Sequence, residues 1–336
     1  MKFNIKGISE IRFFMGLSLA LIVGATGCAT SSPSQNLNAR EEYRKIMARQ
    51  KAEIAADEKA AQKVPEMTAE GYERLGDRYL NQGNLDLAFM QYHKARQLDS
   101  GQLRVRYKMA RLFLAKGLKE EAKAEFKEIL SADPRQALAY EGLGQVDFQM
   151  GEYPEAEKNF KQALDLDPSL WQAHNFLGVM YDRQGQGEKA VVHYQAAIAI
   201  QPGMGALFNN LGTSLLLKGE NEKAVASFAQ AVRLEPSNPK TYNNLALGLG
   251  RLERYPEALE AFKKGGDEAS AHYNLGCIYL WKGKYGEAIA AFEKASEMRP
   301  GFYVKVYDKV QQALFYVKAY EKVQQARKAA QKPAQS

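Results

Sequence analysis

The sequence predicts an all-α fold built from about seven consecutive helical hairpins and closed by a C-terminal helix. Three observations predict it. Small residues recur at a spacing of 34, with one final step of 30; an alanine follows each of them by 12 residues; an aromatic follows each alanine by four. Proline closes most of the resulting units, and proline can begin or end a helix but not continue through its interior. This periodicity indicates stacked repeats.

Each hairpin is predicted from its small and aromatic residues. A small residue lets two helices approach closely, and the aromatic fills the space beside them. The small residues are Gly76, Ala110, Gly144, Gly178, Gly212, Ala246 and Gly276, and the aromatics are Tyr92, Phe126, Phe160, Tyr194, Phe228, Phe262 and Phe292. Glycine is predicted to turn the chain between the two helices, because a left-handed conformation costs it little. The turn glycines are Gly83, Gly117, Gly151, Gly185, Gly219 and Gly283.

The 34-residue pattern resembles the tetratricopeptide repeat. The resemblance implies a right-handed α-solenoid in which the first helix of each unit lines a concave groove. The seven predicted units are 69–102, 103–136, 137–170, 171–204, 205–238, 239–268 and 269–302. The sixth unit lacks four residues and contains Gly265 and Gly266, so we expect its second helix to be short.

A final helix is predicted over residues 303–330, followed by a disordered tail over 331–336. Tyr303, Val306, Val310, Leu314 and Val317 keep helical spacing along this segment. The segment resembles the capping helix that covers the exposed face of the last repeat in this family. We therefore expect it to pack against the seventh hairpin.

The first 27 residues have the composition of a signal peptide. Lys2, Lys6 and Arg12 precede an apolar run over residues 13–25, which is too short to span a bilayer as a helix. The following Ala25-Thr26-Gly27-Cys28 resembles a bacterial lipobox, with alanine where the family usually has leucine. That resemblance implies a lipoprotein whose Cys28 carries the lipid. The alternative is ordinary secretory cleavage at the same small residues.

Residues 28–68 are predicted to be a tether and a polar helical spacer. The spacer helix is expected over 39–62, solvated, with a thin apolar stripe of Tyr43, Met47 and Ile54. Residue 29 is an alanine, whereas an aspartate at this place would resemble an inner-membrane retention signal. In a Gram-negative host we therefore expect an outer-membrane lipoprotein that faces the periplasm.

The net charge of +7 does not predict a nucleic-acid partner. Residues 67–302 carry 29 basic and 30 acidic side chains, so the excess lies in the flanking segments. Cys277 is the one cysteine besides Cys28, so no intramolecular disulfide framework is possible. No catalytic motif is present, and no cofactor, metal or small-molecule substrate is predicted. We expect His174 and His272 to be structural and Cys277 to be a small spacer.

Asparagines recur at one place of the repeat and form the first candidate site. Asn210, Asn244 and Asn274 each precede the Leu-Gly or Leu-Ala pair. Asn175, Asn209 and Asn243 stand beside comparable positions. The row is similar to the asparagine ladder of the O-GlcNAc transferase solenoid, which implies amides that hold a peptide backbone. Alternatively, these residues are family consensus. If they only bind peptide, changing Asn210, Asn244 and Asn274 to alanine should leave stability unchanged or slightly higher.

A basic stripe in the second unit is the other candidate. Arg104, Lys108 and Arg111 have the spacing of one helix face, which the family register turns toward the groove. They could bind an acidic segment or a C-terminal carboxylate. Alternatively, they pair with Glu73, Asp77 and Glu141 of adjacent units in a solvated charge lattice.

The sequence therefore predicts a non-catalytic, membrane-tethered scaffold that binds an extended segment of a protein partner. Exported lipoproteins with this repeat resemble the pilotins of type IV and Tad pili, which implies a role in pilus or secretin assembly. The alternatives are a periplasmic adaptor for a peptidase or a peptidoglycan enzyme, and an accessory subunit of an enzyme complex.

Overall fold

The computed structural model describes residues 41–42, 44–49, 52, 67–299 and 303–330. The predicted signal peptide, Cys28 and the tail 331–336 lie outside these residues. Every regular element among them is helical, which confirms the all-α prediction. After the helical residues of 41–52 come α1 Ala69–Asn81, α2 Leu85–Leu98, α3 Leu103–Ala115, α4 Lys119–Ala132, α5 Ala137–Met150, α6 Tyr153–Leu166, α7 Trp171–Arg183, α8 Gly187–Ile200, α9 Gly205–Leu217, α10 Asn221–Leu234, α11 Pro239–Arg251, α12 Tyr255–Gly265, α13 Glu268–Trp281, α14 Tyr285–Met298 and α15 Tyr303–Ala330.

The helices fall into two compact units. The N-terminal unit ends at Arg183 and contains α1–α7, and the C-terminal unit begins at Gln184 and contains α8–α15. Within each unit, consecutive helices pack against each other. The first helices of successive hairpins also touch, α3 with α5 and α5 with α7 in one unit, and α9 with α11 and α11 with α13 in the other. These neighbouring first helices form what we call the first-helix face of each unit.

In hairpins of both units, a glycine of the first helix faces an aromatic ring of the second helix. A Cβ atom added to Gly76 would lie 2.5 Å from the Tyr92 ring, and one added to Gly144 would lie 2.7 Å from the Phe160 ring. Both rings are fully buried. Because real Cβ atoms do not approach a ring so closely, an alanine here would push the helices apart. The structure thus confirms the role predicted for the small and aromatic residues.

The turns follow the prediction at six of the seven hairpins. The six turn glycines have φ between 71° and 86°, the left-handed region. The turn of the sixth hairpin holds Glu253 instead, with φ 61°, a conformation that costs a side-chain-bearing residue free energy. The second helix of that hairpin, α12, has 11 residues, whereas α10 and α14 have 14 each. The predicted shortening at Gly265 and Gly266 is therefore confirmed.

The helical residues before the repeats do not form a free spacer. Ile46 and Met47 are partly buried and pack against the core of the N-terminal unit, which also includes Phe89 and Phe113. The prediction of a solvated helix is wrong for this stretch, because Ile46 and Met47 together provide an apolar contact surface for the first repeats. Tyr43 and Ile54 lie outside the described residues.

Helix α15 covers the last hairpin, as predicted. Val306 is 5% exposed, Ala313 is fully buried, and Val310 packs against the same cluster as Phe292 of α14. The ring of Tyr316 stacks on Tyr285, with 5.3 Å between their centroids. The first half of α15 therefore supplies the cap that a terminal repeat requires.

The sequence of α15 is duplicated, a pattern that the periodicity of 34 hides. YVKVYDKVQQA over 303–313 returns as YVKAYEKVQQA over 316–326. At about 100° per residue, positions 13 residues apart lie on different sides of an α-helix. Equivalent residues of the two copies thus lie on different sides of α15, so they cannot contact the same surface of the last hairpin.

Candidate binding face

Five side chains of the first two hairpins form what we call the charged cluster: Glu73, Asp77, Tyr92, Arg104 and Lys108. Lys108 Nζ lies 2.6 Å from Glu73 Oε1 and 2.7 Å from Asp77 Oδ1. Arg104 Nη2 lies 2.6 Å from Glu73 Oε2, and Tyr92 Oη donates to Asp77 Oδ1 at 2.8 Å. The cluster joins the first-helix residues of one repeat to those of the next.

The cluster changes the acidity of its carboxyl groups. Burial alone would raise the pKa of Glu73, but the hydrogen bonds from Arg104 and Lys108 lower it below the usual value. The pKa of Asp77 is lowered in the same way, by bonds from Lys108 and Tyr92 against the effect of burial. Both groups are therefore ionised at neutral pH, and the two cations neutralise them.

The structure thus shows the charge lattice for two of the three predicted basic residues. Arg111 is placed differently: its Nη1 donates to the hydroxyl of Tyr107 at 3.2 Å. Its charge also acts on Glu141, a buried carboxyl whose pKa is raised by burial and lowered in part by a hydrogen bond from the Ala173 amide and by Arg111. Binding of a partner by these three basic residues stays a prediction.

Sequence reasoning missed a second ionic centre, around Asp147 in α5. Asp147 is 1% exposed, its Oδ1 lies 2.8 Å from Lys123 Nζ, and its Oδ2 accepts from Asn159 Nδ2 at 2.7 Å. Lys123 also contacts Glu152 at 2.5 Å. Burial opposes the charge on Lys123, yet the bonds to both carboxylates raise its pKa. The signal was Asp147 itself, because the other six units hold an aromatic residue or a leucine at the same place: Tyr79, Phe113, Tyr181, Leu215, Leu249 and Tyr279.

Two of the predicted peptide-binding asparagines bind each other. Asn244 Nδ2 donates to Asn209 Oδ1 at 2.8 Å, and the two residues are 5% and 9% exposed. This bond links α9 to α11. A peptide that bonded to Asn244 Nδ2 or to Asn209 Oδ1 would compete with this buried hydrogen bond between repeats.

The remaining asparagines occupy different surroundings. Asn243 Nδ2 donates to the carbonyl of Gly265 at 3.5 Å, so it supports the end of the short helix α12. Asn175, Asn210 and Asn274 are half-buried on first helices. The structure therefore separates the predicted row into an internal part and a part with accessible surface.

The other residues considered from the sequence have packing roles. His272 is 6% exposed, and burial lowers its pKa; burial likewise lowers the pKa of His174. Burial raises the pKa of the Cys277 thiol, which disfavours the reactive thiolate. Within the described residues, no group of histidine, cysteine, aspartate or glutamate side chains could hold a metal ion. None of the described helices has the length and apolar character needed to cross a bilayer.

Comparison with protein families gives two matches. Residues 34–274, more than two thirds of the chain, match the family described as the cilia and flagella-associated protein 70 C-terminal domain. Residues 269–302 match the tetratricopeptide repeat. No curated protein matches the chain.

Solved structures with the same fold include the APC/C hetero-tetramer Cut9–Hcn1. It is 20% identical, covers 72% of this chain and 48% of that chain, and has a TM-score of 0.54. The MamA structure is 28% identical in sequence, and the match covers 48% of this chain and 95% of the MamA chain, with a TM-score of 0.42. The pilF protein of Pseudomonas aeruginosa is 21% identical in sequence, and the match covers 62% of this chain and 95% of the pilF chain, with a TM-score of 0.49.

Proposed function

Because the chain belongs to the family described as the cilia and flagella-associated protein 70 C-terminal domain, a family of tetratricopeptide repeats, we propose that it is a non-catalytic scaffold. In this proposal the first-helix faces bind an extended segment of a protein partner. The fold supports it, since stacked hairpins present one helix after another to the same side and so suit a long, unfolded segment.

The observation that carries the proposal is the surplus of hydrogen-bond donors on the first-helix face. The side chain of Arg104 is 68% exposed although one of its nitrogens bonds the buried Glu73. A guanidinium has five N–H donors, so most of them point to solvent or to a partner. Asn274 adds a half-buried amide on the first helix α13, further along the chain.

The cellular setting is also part of the proposal. We place the protein in the bacterial envelope, attached to the outer membrane by lipid on Cys28, where it assists pilus or secretin assembly. The leader and the lipobox-like sequence support this setting. The alternative is an adaptor that recruits a peptidase or a peptidoglycan enzyme to the same membrane.

Site-specific photo-crosslinking tests the binding face. A photoreactive residue at Arg104 or Asn274 should crosslink the full-length protein to one partner band in intact cells. The matched controls are exposed positions on second helices, Glu128 of α4 and Gln162 of α6. Crosslinks from the control positions but not from the first helices would reject the proposed face.

Fractionation tests the anchor separately. The Cys28→Ala protein should move from the membrane fraction to the soluble periplasm, because the acyl chains are its only proposed attachment. Density gradients of the unchanged protein should place it with outer-membrane markers. Retention of Cys28→Ala on membranes would contradict the lipid anchor without touching the binding face.

A further inference from the structure

Three successive first helices of the C-terminal unit end in residues that form a small surface. Leu217 ends α9, Arg251 ends α11 and Trp281 ends α13. We call these three residues the rim patch. Leu217 is 54% exposed and Trp281 is 41% exposed, while Arg251 between them is half-buried. The patch therefore combines two exposed apolar side chains with a guanidinium.

Arg251 is held in place by two contacts, neither of which involves a carboxylate. Its Nη1 donates to the carbonyl of Leu216 at 3.3 Å, and its Cζ lies 5.2 Å from the centre of the Trp281 ring. No carboxylate of the described residues forms an ion pair with it. Burial, with no opposing carboxylate, lowers the pKa of Arg251, although an arginine remains charged at neutral pH.

The neighbouring lysines show that the missing counterion is specific to Arg251. Lys218 follows Leu217 in sequence, and its Nζ lies 2.8 Å from Glu220 Oε1. Lys282 follows Trp281 in sequence, and its Nζ lies 3.0 Å from Glu253 Oε1. Carboxylates are thus plentiful around the patch, yet they pair with the lysines.

Helix capping alone does not account for the arginine. One N–H satisfies a carbonyl near the end of α9, which leaves four donors of the fork. Arg183 occupies the same repeat position in the N-terminal unit and differs in exposure. It is exposed, donates to Tyr153 Oη at 2.7 Å and stacks 4.9 Å from the Phe148 ring, so water can hydrate its charge.

We propose that the rim patch binds an acidic segment of a protein partner, in which one carboxylate is flanked by apolar side chains. The planar fork of Arg251 takes the carboxylate by two parallel hydrogen bonds. Leu217 and Trp281 contact the flanking apolar residues and exclude water from the ion pair. This inference rests on the proposed scaffold function and adds a contact at the helix ends, outside the first-helix face.

The test is a selection of displayed random 12-residue peptides on the immobilised full-length protein. Selected peptides should be enriched in aspartate or glutamate next to aromatic or aliphatic residues. A synthetic copy of the most enriched peptide should bind roughly tenfold or more tightly to the unchanged protein than to Arg251→Met, as expected for the loss of charge-assisted bonds. Its Asp→Asn or Glu→Gln version should lose a similar factor. Arg183→Met is the matched control and should bind normally.

Two further measurements keep the outcome clear. The melting temperature of Arg251→Met should be unchanged or higher, because the substitution removes a half-buried, unpaired charge. If that variant does not fold, Arg251→Lys keeps the charge, loses the fork and should bind with intermediate affinity. Peptides without acidic enrichment, or equal binding to Arg251→Met, would overturn the rim patch. If such peptides still lose affinity when Arg104 is changed to alanine, the scaffold proposal survives; if no peptide binds at all, both proposals fail.

Discussion

The two units join neighbouring repeats at the same place of the hairpin but with different chemistry. In the N-terminal unit, Lys108 Nζ contacts Glu73 Oε1 at 2.6 Å, and in the C-terminal unit, Asn244 Nδ2 contacts Asn209 Oδ1 at 2.8 Å. Both pairs are separated by 35 residues and run from one first helix to the preceding one. The same backbone arrangement thus accepts a partly buried ion pair or a buried amide pair.

The difference determines how each unit responds to change. Removing one partner of a buried ion pair leaves an uncompensated charge, whereas removing one amide leaves a neutral polar atom unsatisfied. The two tryptophans make the comparison measurable, because Trp171 lies in the N-terminal unit and Trp281 in the C-terminal unit. Trp281→Phe and Trp171→Phe each leave one fluorescent reporter.

Lys108→Met should have the largest effect. Glu73 has 4% of its side chain exposed and would keep only Arg104 as a partner, so we expect a loss of about 2–4 kcal/mol from the free energy of unfolding. Urea unfolding followed by Trp171 in the Trp281→Phe background measures it. Lys127→Met on the exposed side of α4 is the control. A loss below about 0.5 kcal/mol would mean that the charged cluster is energetically neutral.

Asn244→Ala should cost less, about 1–2 kcal/mol, because it leaves Asn209 Oδ1 buried without its donor. This revises the expectation from the sequence that alanine would be harmless at this position. Trp281 fluorescence in the Trp171→Phe background follows the unfolding. Asn274→Ala, on a half-buried position, should change stability by no more than about 0.5 kcal/mol. Equal costs for both variants would remove the distinction between internal and accessible asparagines.

Acid should distinguish the ion pair from the amide pair. The folded-state pKa values of Glu73 and Asp77 are lowered, so their contribution is present above the unfolded values of 4.5 and 3.8 and is lost as pH falls through the folded values. The cost of Lys108→Met should therefore shrink between pH 5 and pH 2, about the range in which these carboxyls gain protons. The cost of Asn244→Ala should not change, since amides do not titrate. The pKa of Glu141 is raised, so this group contributes to the pH dependence of stability with the opposite sign. It is present both in each variant and in the unchanged protein, so its contribution cancels when their stabilities are compared.

The turns give the smallest expected effect. Glu253→Gly should raise the melting temperature of the C-terminal unit slightly, since glycine adopts the observed positive φ without the cost of a side chain. The lost contact with Lys282 is exposed and contributes little. Thermal unfolding by circular dichroism measures the gain, and Gly219→Ala, with φ 82°, should shift the midpoint the other way. A destabilised Glu253→Gly would show that the ion pair outweighs the backbone.

Features that lie within one hairpin could be predicted from the sequence. Gly76 and Tyr92 meet because they lie on adjacent helices of one unit, and the short α12 follows from four missing residues and two glycines. The pairing of Lys108 with Glu73 was foreseen as an alternative because opposite charges stand at matching places of two units.

Features that depend on the angle between hairpins could not be predicted. Whether Asn244 faces a peptide or Asn209 depends on the rotation of α11 against α9, which the repeat period does not encode. The packing of Ile46 and Met47 against the first repeats could not be predicted for a similar reason. A thin apolar stripe in the sequence does not show which surface, if any, lies beside it. The partner and the anchor remain proposals, since they depend on molecules outside the chain.

The locality of the contacts has a kinetic consequence. Side-chain bonds between hairpins, such as those of Arg96 with Glu125 and of Lys282 with Glu253, join residues 29 positions apart, and the closest pairs of helices in each unit are neighbours or next neighbours. Little loop-closure entropy opposes such contacts, and chains of low contact order fold fast. A hairpin can thus become ordered as soon as it and the preceding one are available. Unfolding should accordingly begin at whichever hairpin is weakest and spread to its neighbours, which makes the sixth hairpin, with its strained turn and shortened helix, the expected starting point.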